Sequence, residues 1–262
     1  MNNVTEIKNA VQTRKTKTIP ELIEASVKEL GKALPKQMNA ERLARIALTN
    51  LRLNPKLAEC TPQSFIAALF QSAQLGLEPG IEGQAYLIPY ENSKNINGQW
   101  VKVKEVQFQI GYKGYVELFY RHPQSSTLSM NKVCENDLFE YELGTNQKIK
   151  HVPALHNRGE VIAYYAIATM SDGNKIIKIM SKEECIEHGK THSKGFDSKN
   201  SNWIKEQDAM CLKTVLIQLM KLLPKSIEMQ KALAMDNTTK SKVKEDMFEV
   251  KDETNWDDTD KE

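Results

Sequence analysis

No stretch of this 262-residue chain approaches the roughly 20 consecutive apolar residues of a membrane-spanning helix, so no membrane partner is expected. The first residues, Met1-Asn2-Asn3-Val4-Thr5-Glu6, lack the apolar core of a secretory signal. Cysteine is scarce. Cys60, Cys134, Cys185 and Cys211 are far apart in sequence, which excludes a zinc knuckle or a close-spaced redox pair and predicts reduced thiols in a cytoplasmic protein. A Gly-x4-Gly-Lys-Ser/Thr phosphate loop is absent, which disfavours an ATP-driven recombinase. The Gly-x-Ser-x-Gly, His-Glu-x2-His and Gly-x-Gly-x2-Gly signatures are absent too.

Acidic side chains are outnumbered everywhere except at one end. Residues 245–262 hold nine acids and two lysines, a charge of −7, whereas the other 244 residues carry 34 basic against 25 acidic side chains, or +9. A basic body points to a polyanion partner, and residues 237–262 are expected to form a disordered acidic tail. Residues 1–18 are polar, hold Lys8, Arg14, Lys15 and Lys17, and read as a flexible basic arm. The folded core is thereby expected over 19–236.

Hydrophobic spacing and punctuation place the elements of that core. A helix is predicted from Pro20 to Leu30, stopped by Gly31 and Pro35, and a second from Asn39 to Leu53. Thr61 and Pro62 open a third, with Phe65, Ile66, Leu69 and Phe70 as a core stripe and Gly76 as its stop. Ala85 to Ile88 reads as a strand ended by Pro89, and Asn97-Gly98 as a hairpin turn into a strand from Trp100 to Ile110. Alternation changes parity at Glu105, where a β-bulge would put Lys102, Lys104, Gln107 and Gln109 on one polar face. After a short helix near Lys113–Arg121, strands are predicted at Thr127–Cys134, Leu138–Leu143, Val161–Met170 and Lys175–Met180, the last two joined by Asp172-Gly173. Ser181 and Glu184 form a capping-box pair for a helix over 181–188, and a long helix follows from Asn202 to Leu223, with a last one at Ser226–Met235. The class is α+β: N-terminal helices, then a β-hairpin and a short antiparallel sheet crossed by a long helix.

Two apparent catalytic constellations are weak. Cys185, His188 and His192 share helical spacing, but Gly189 reads as a helix stop and no fourth ligand is evident, so no metal site is assigned. Asp137, Glu140 and Glu142 read as the solvated face of a strand before they read as nuclease carboxylates. Nucleic-acid chemistry fits better. Cations neutralise phosphates, amides hydrogen-bond them, and aromatic rings stack on bases without regard to sequence. Three stretches combine these types: Lys102, Lys104, Gln107 and Gln109; Tyr112, Lys113 and Arg121; and Lys190, Lys194, Phe196, Trp203 and Lys205. Each alone also reads as a wet sheet face or a piece of core. Together, on a body of charge +9, they favour a DNA groove.

Three longer motifs carry a resemblance. They are Cys60-Thr61-Pro62-Gln63-Ser64-Phe65-Ile66 with Gln74-Leu75-Gly76-Leu77-Glu78-Pro79; Gln107-Phe108-Gln109-Ile110-Gly111-Tyr112-Lys113-Gly114; and Met210-Cys211-Leu212-Lys213-Thr214-Val215-Leu216 with Leu222-Leu223-Pro224. In this order they resemble the RecT family of phage single-strand annealing proteins, distant relatives of the phage lambda beta protein, over about 20–235. The resemblance implies binding of single-stranded DNA and of the annealed duplex, pairing without ATP, and homo-oligomers in rings or helical filaments. It implies a phage exonuclease and the host single-strand binding protein as partners, and a phage or prophage gene working in the bacterial cytoplasm. Gln107, Gln109, Tyr112, Lys113 and Lys213 are the positions it carries over. No cofactor is expected, with magnesium at most a counterion, and no covalent step, so the chain is not expected to be an enzyme. A non-annealing single-strand coat protein is the alternative.

Overall fold

The computed structural model describes residues 18–36, 38–80, 82–96, 98–193, 195–199, 201–224 and 226–235. The basic arm up to residue 17 and the acidic tail therefore lie outside the described residues. The chain packs as two compact units. Of the described residues, the first holds those up to Ala73 together with Leu87–Gln107, and the second holds Gln74–Tyr86 and everything from Phe108 onward.

In the first unit, helix α1 (Ile19–Ala33) opens with the capping box of Thr18 and Glu21, the Thr18 N–H donating to Glu21 Oε2 at 2.8 Å. It buries Ile19, Ile23 and Leu30. The helix passes through Gly31, the expected stop, because a glycine inside a helix costs only about 1 kcal/mol. Pro35, which disfavours helical backbone in the residue before it, is the effective boundary. Helix α2 (Ala40–Leu53) is capped by Asn39, whose Oδ1 accepts from the N–H groups of Glu41 and Arg42 at 2.8 and 3.1 Å. It packs on α1 and buries Leu43, Ala44 and Ala47. A tight turn at Pro55–Glu59 buries Leu57 and leads to α3 (Pro62–Leu75), which is buried almost throughout.

Strands β1 (Ala85–Ile96) and β2 (Gln99–Ile110) form a two-stranded sheet, turning at Gly98 with φ of +84°. Pro89 lies inside β1 instead of ending it. Both strands of such a sheet are edges, and an edge tolerates a residue that donates no ladder hydrogen bond. The free edge of β2 is covered by the start of α3: the Thr61 N–H donates to Lys104 O, and the Val106 N–H to Ser64 Oγ, both at 2.9 Å. Burial changes along β2 where the parity changes. Val106, Phe108 and Ile110 are buried, while the outer half of β2 has no buried face, Val101 being 42% exposed. Glu105 turns inward to accept from Asn92 Nδ2 and Lys94 Nζ at 3.0 and 2.8 Å. Of the four residues expected on one polar face, Lys102 and Lys104 are exposed and Gln107 and Gln109 half-buried.

The second unit is built on an antiparallel sheet ordered β3-β6-β7, with β3 (Ser125–Cys134), β6 (Val161–Met170) and β7 (Lys175–Ser181). Leu128 pairs with Ala168, and Ile167 with Ile177. Helix α4 (Tyr112–Tyr120) precedes β3, and α5 (Lys182–His192) follows β7 through the predicted Ser181–Glu184 capping box. The helix expected as one piece from Asn202 is broken at Glu206 (φ −135°, ψ 50°) into α6 (Asn202–Lys205) and α7 (Gln207–Met220). Helix α7 touches all three strands and α5, and α8 (Ile227–Met235) packs on α4. Where α5 meets α7, Cys185 and Cys211 are free, buried thiols that influence each other's ionisation, so the cysteines are not all apart in space.

A separate hairpin joins β4 (Leu138–Glu142) to β5 (Lys148–Val152), a strand the sequence did not announce. Asp137 anchors it. Expected on a solvated face, this carboxylate is fully buried, accepting from Arg158 at 2.6 Å, His151 Nε2 at 3.1 Å and the N–H groups of Cys134 and Ala154. The Arg158 guanidinium holds the Asp137 carboxyl far below the ordinary aspartate range. A depressed folded-state value means stability that is fully present above that range and is lost as pH falls towards the folded value. Asp137→Asn is therefore expected to lower the melting temperature markedly at pH 7, with the gap from wild type narrowing steadily as pH falls below the ordinary aspartate range. A thermal melt series from pH 7 to pH 2 checks this, and a pH-independent gap refutes it.

Candidate nucleic-acid interface

In the second unit, the Gly111-Tyr112-Lys113-Gly114 turn is shaped by its two glycines. A Cβ at Gly111 would collide with Gly83 O, and one at Gly114 with Gln84 O. The Gly111 N–H donates to Gln84 O at 2.9 Å, so loop and helix start are in backbone contact. Tyr112 and Lys113, between the glycines, remain outside. Tyr112 is 42% exposed and Lys113 is exposed, placing a stacking ring and a cation side by side at the start of α4. Gln109, two residues before Gly111, is half-buried, and Lys213 is half-buried on α7.

Arg121 has a structural task. Its Nη1 and Nη2 donate to the carbonyls of Leu75 and Gly76 at 2.7 and 2.8 Å, and its Nε donates to Glu117 at 3.2 Å. The last carbonyls of α3, which no helical N–H can satisfy, are thus closed by a side chain. Trp203 is also committed: it is buried, and its ring lies 2.7 Å from where a Cβ on Gly189 would stand. That contact explains why Gly189 sits inside α5 instead of ending it. Phe196, whose sequence neighbours offered it no apolar contact, is half-buried with its ring 5.3 Å from that of Trp203. Lys190 and Lys205 are exposed at the ends of α5 and α6, and Lys194 lies outside the described residues. Cys185 and His188 are likewise engaged, with Cys211 and with Gln218 at 2.9 Å. Burial, helped by His192 and Lys221, holds His188 below its ordinary value. Asp208, near the start of α7, binds Lys132 at 2.7 Å and the Tyr164 hydroxyl at 2.6 Å. Burial opposes its ionisation, but these two hydrogen bonds outweigh it and hold the carboxyl below its ordinary value.

In the first unit, Lys102 and Lys104 stand on the outer half of β2, ion-paired with Glu91 and Glu59 respectively, and all four side chains are largely exposed. Each pairing lowers the carboxyl and raises the lysine relative to its ordinary value. Exposed pairs of this kind contribute about 0–1 kcal/mol, so a phosphate can replace either carboxylate at small cost. Trp100, read in the sequence only as the start of a strand, is 63% exposed. Exposure is not visible in composition, and the apolar residues beside it made it look like ordinary strand.

A family model described as the RecT family matches residues 41–254. The chain belongs to the RecT family. Among its relatives, Protein RecT of Escherichia coli (strain K12) is 40% identical over 213 residues, which cover 80% of this chain and 77% of that protein. Uncharacterized protein YqaK of Bacillus subtilis (strain 168) is 28% identical over 189 residues, 71% of this chain and 61% of the relative. RecT membership makes the chain a recombination protein of a strand-annealing family. The matched region includes Gln107, Gln109, Tyr112, Lys113 and Lys213 and runs ten residues into the acidic segment, beyond the 20–235 spanned by the motifs.

For Arg121 the geometry predicts a stability defect. Removing the guanidinium leaves two α3 carbonyls without a donor, so Arg121→Ala is expected to destabilise the protein by about 1–3 kcal/mol. Denaturant unfolding measures that loss. A variant of wild-type stability with a reduced salt slope for DNA binding would instead make Arg121 a phosphate contact.

Proposed function

We propose that the chain is an ATP-independent annealing protein that binds single-stranded DNA and pairs it with its complement. The observation that carries the reading is the exposed Tyr112–Lys113 pair, held outward by two glycines in a RecT-family protein. A ring that stacks and a cation that meets phosphate, adjacent on a rigid helix start, suit an unpaired strand of any sequence. Two naked strands repel each other, and each folds on itself. A row of protomers, as a ring or helical filament, would neutralise one backbone and keep its bases available for a second strand to test. Pairing then supplies the free energy, so neither nucleotide nor metal takes part, and magnesium serves only as a counterion. A phage exonuclease that exposes single strands and the host single-strand binding protein are the partners this role calls for.

Complementary oligonucleotides mixed with the protein should anneal at full rate without any nucleotide, with or without magnesium, to products of unchanged strand length. Dependence on ATP hydrolysis, shortened strands, or protection without pairing would each refute the reading. Lys113→Ala should weaken binding to an oligo(dT) and reduce the slope of log K against log salt by about 0.7, the share of one phosphate contact on a single strand. Its circular dichroism should stay that of wild type, and an unchanged slope would return Lys113 to an ordinary solvated lysine.

A further inference from the structure

The outer half of β2 is more than the fold requires. Positions 106, 108 and 110 of this strand are core, whereas the alternate positions 100, 102 and 104 of its outer half are exposed. That row reads Trp100, Lys102, Lys104. Tryptophan carries the largest apolar surface of any side chain, and leaving it 63% exposed beside two lysines has no stabilising purpose within the unit.

A second feature of the same unit is α2. Arg45 and Arg52 lie two turns apart on its exposed side, with exposed Thr49 between them, and exposed Lys56 follows four residues on. Glu41 is the only acid of the helix. Charge ties the Pro55–Glu59 turn that follows α2 to the hairpin. Glu59 feels both Lys104, its partner, and Lys56, while Glu91 feels both Lys102, its partner, and Lys104. Lys56, Glu59, Lys104, Glu91 and Lys102 therefore make one continuous run of charge. That run holds three cations against two carboxylates, and the exposed side of α2 adds Arg45 and Arg52 within the same unit.

We infer that the first unit carries a binding site for an unpaired nucleic-acid strand, in which Trp100 stacks on a base and Arg45, Arg52, Lys56, Lys102 and Lys104 follow the phosphates. The inference rests on the annealing reading and gives the first unit a contact surface of its own, in addition to the Tyr112–Lys113 pair of the second unit. Cations favour any polyanion, and the ring selects one that displays flat bases. A lipid surface fits less well, since residues 92–99 at the hairpin tip are almost entirely polar.

The test uses the full-length protein, a labelled oligo(dT), and the same oligonucleotide with every base removed. Trp100→Ala should weaken oligo(dT) binding about 5- to 150-fold, the range for loss of one stacked base, and leave the salt slope unchanged because no charge is lost. Trp100→Phe should recover most of the affinity. The abasic strand should bind wild type and Trp100→Ala equally. Joint replacement of Arg45, Arg52 and Lys56 by glutamine should lower the salt slope by about 2. The inference is overturned if Trp100→Ala binds oligo(dT) like wild type, or loses the same factor on the abasic strand. It is also overturned if Trp100 proves necessary for binding phosphatidylglycerol vesicles but not oligo(dT). Wild type that binds no single strand at all would remove the annealing reading itself, whereas annealing that survives Trp100→Ala unchanged removes only this site.

Discussion

The carbonyl oxygens of Gly83 and Gln84 stand where side chains at positions 111 and 114 would otherwise be. Only glycine permits that approach, and much of the second unit depends on it. The contact fixes where α4 begins and how it is rotated. Tyr115, Leu118 and Phe119 then turn into the core, where α4 meets α7 and α8. Tyr112 and Lys113 are left outside by the same rotation. At the other end of α4, Arg121 fastens the last carbonyls of α3. The loop, the helix and the preceding helix terminus are thus held by backbone atoms at both ends, and the two residues proposed to meet DNA owe their orientation to that frame.

Where local chemistry decides, the fold was legible in the sequence. Thr18 with Glu21, Asn39, and Ser181 with Glu184 each start a helix where their hydrogen-bonding capacity says they should. Alternation located β6 to the residue. What stayed hidden depends on partners distant in sequence. Strand β5 reads as a charged loop because Lys148 and Lys150 gain their sense only opposite Glu142 and Glu140. Gly189 looks like a helix stop until Trp203 is seen to occupy the space beside it. The break at Glu206 likewise lies in a run whose apolar spacing is helical on both sides.

The candidate site divides along the same line. The outward placement of Tyr112 and Lys113 was readable because their glycine frame is contiguous in the chain. Arg121 and Trp203 share the composition of a binding residue, but the fold gives one to a helix terminus and the other to the core. Trp100 is the converse case, an apolar residue whose accessibility only the three-dimensional arrangement reveals. Charge type is a property of sequence, whereas availability of a charge or a ring is a property of packing.

Side chains and helix termini finish the sheet edges. Thr61 and Ser64 cover β2, the Tyr120 hydroxyl accepts from the Leu128 N–H of β3 at 3.1 Å, and Gln147 accepts from the Ile177 N–H of β7 at 3.1 Å. An unsatisfied strand edge is a template on which another chain can zip up. A protein that crowds many copies onto one thread of nucleic acid would meet that hazard continually, at local concentrations far above those of a dispersed monomer. The bonds at β2, β3 and β7 occupy part of each of those edges and lower that hazard there.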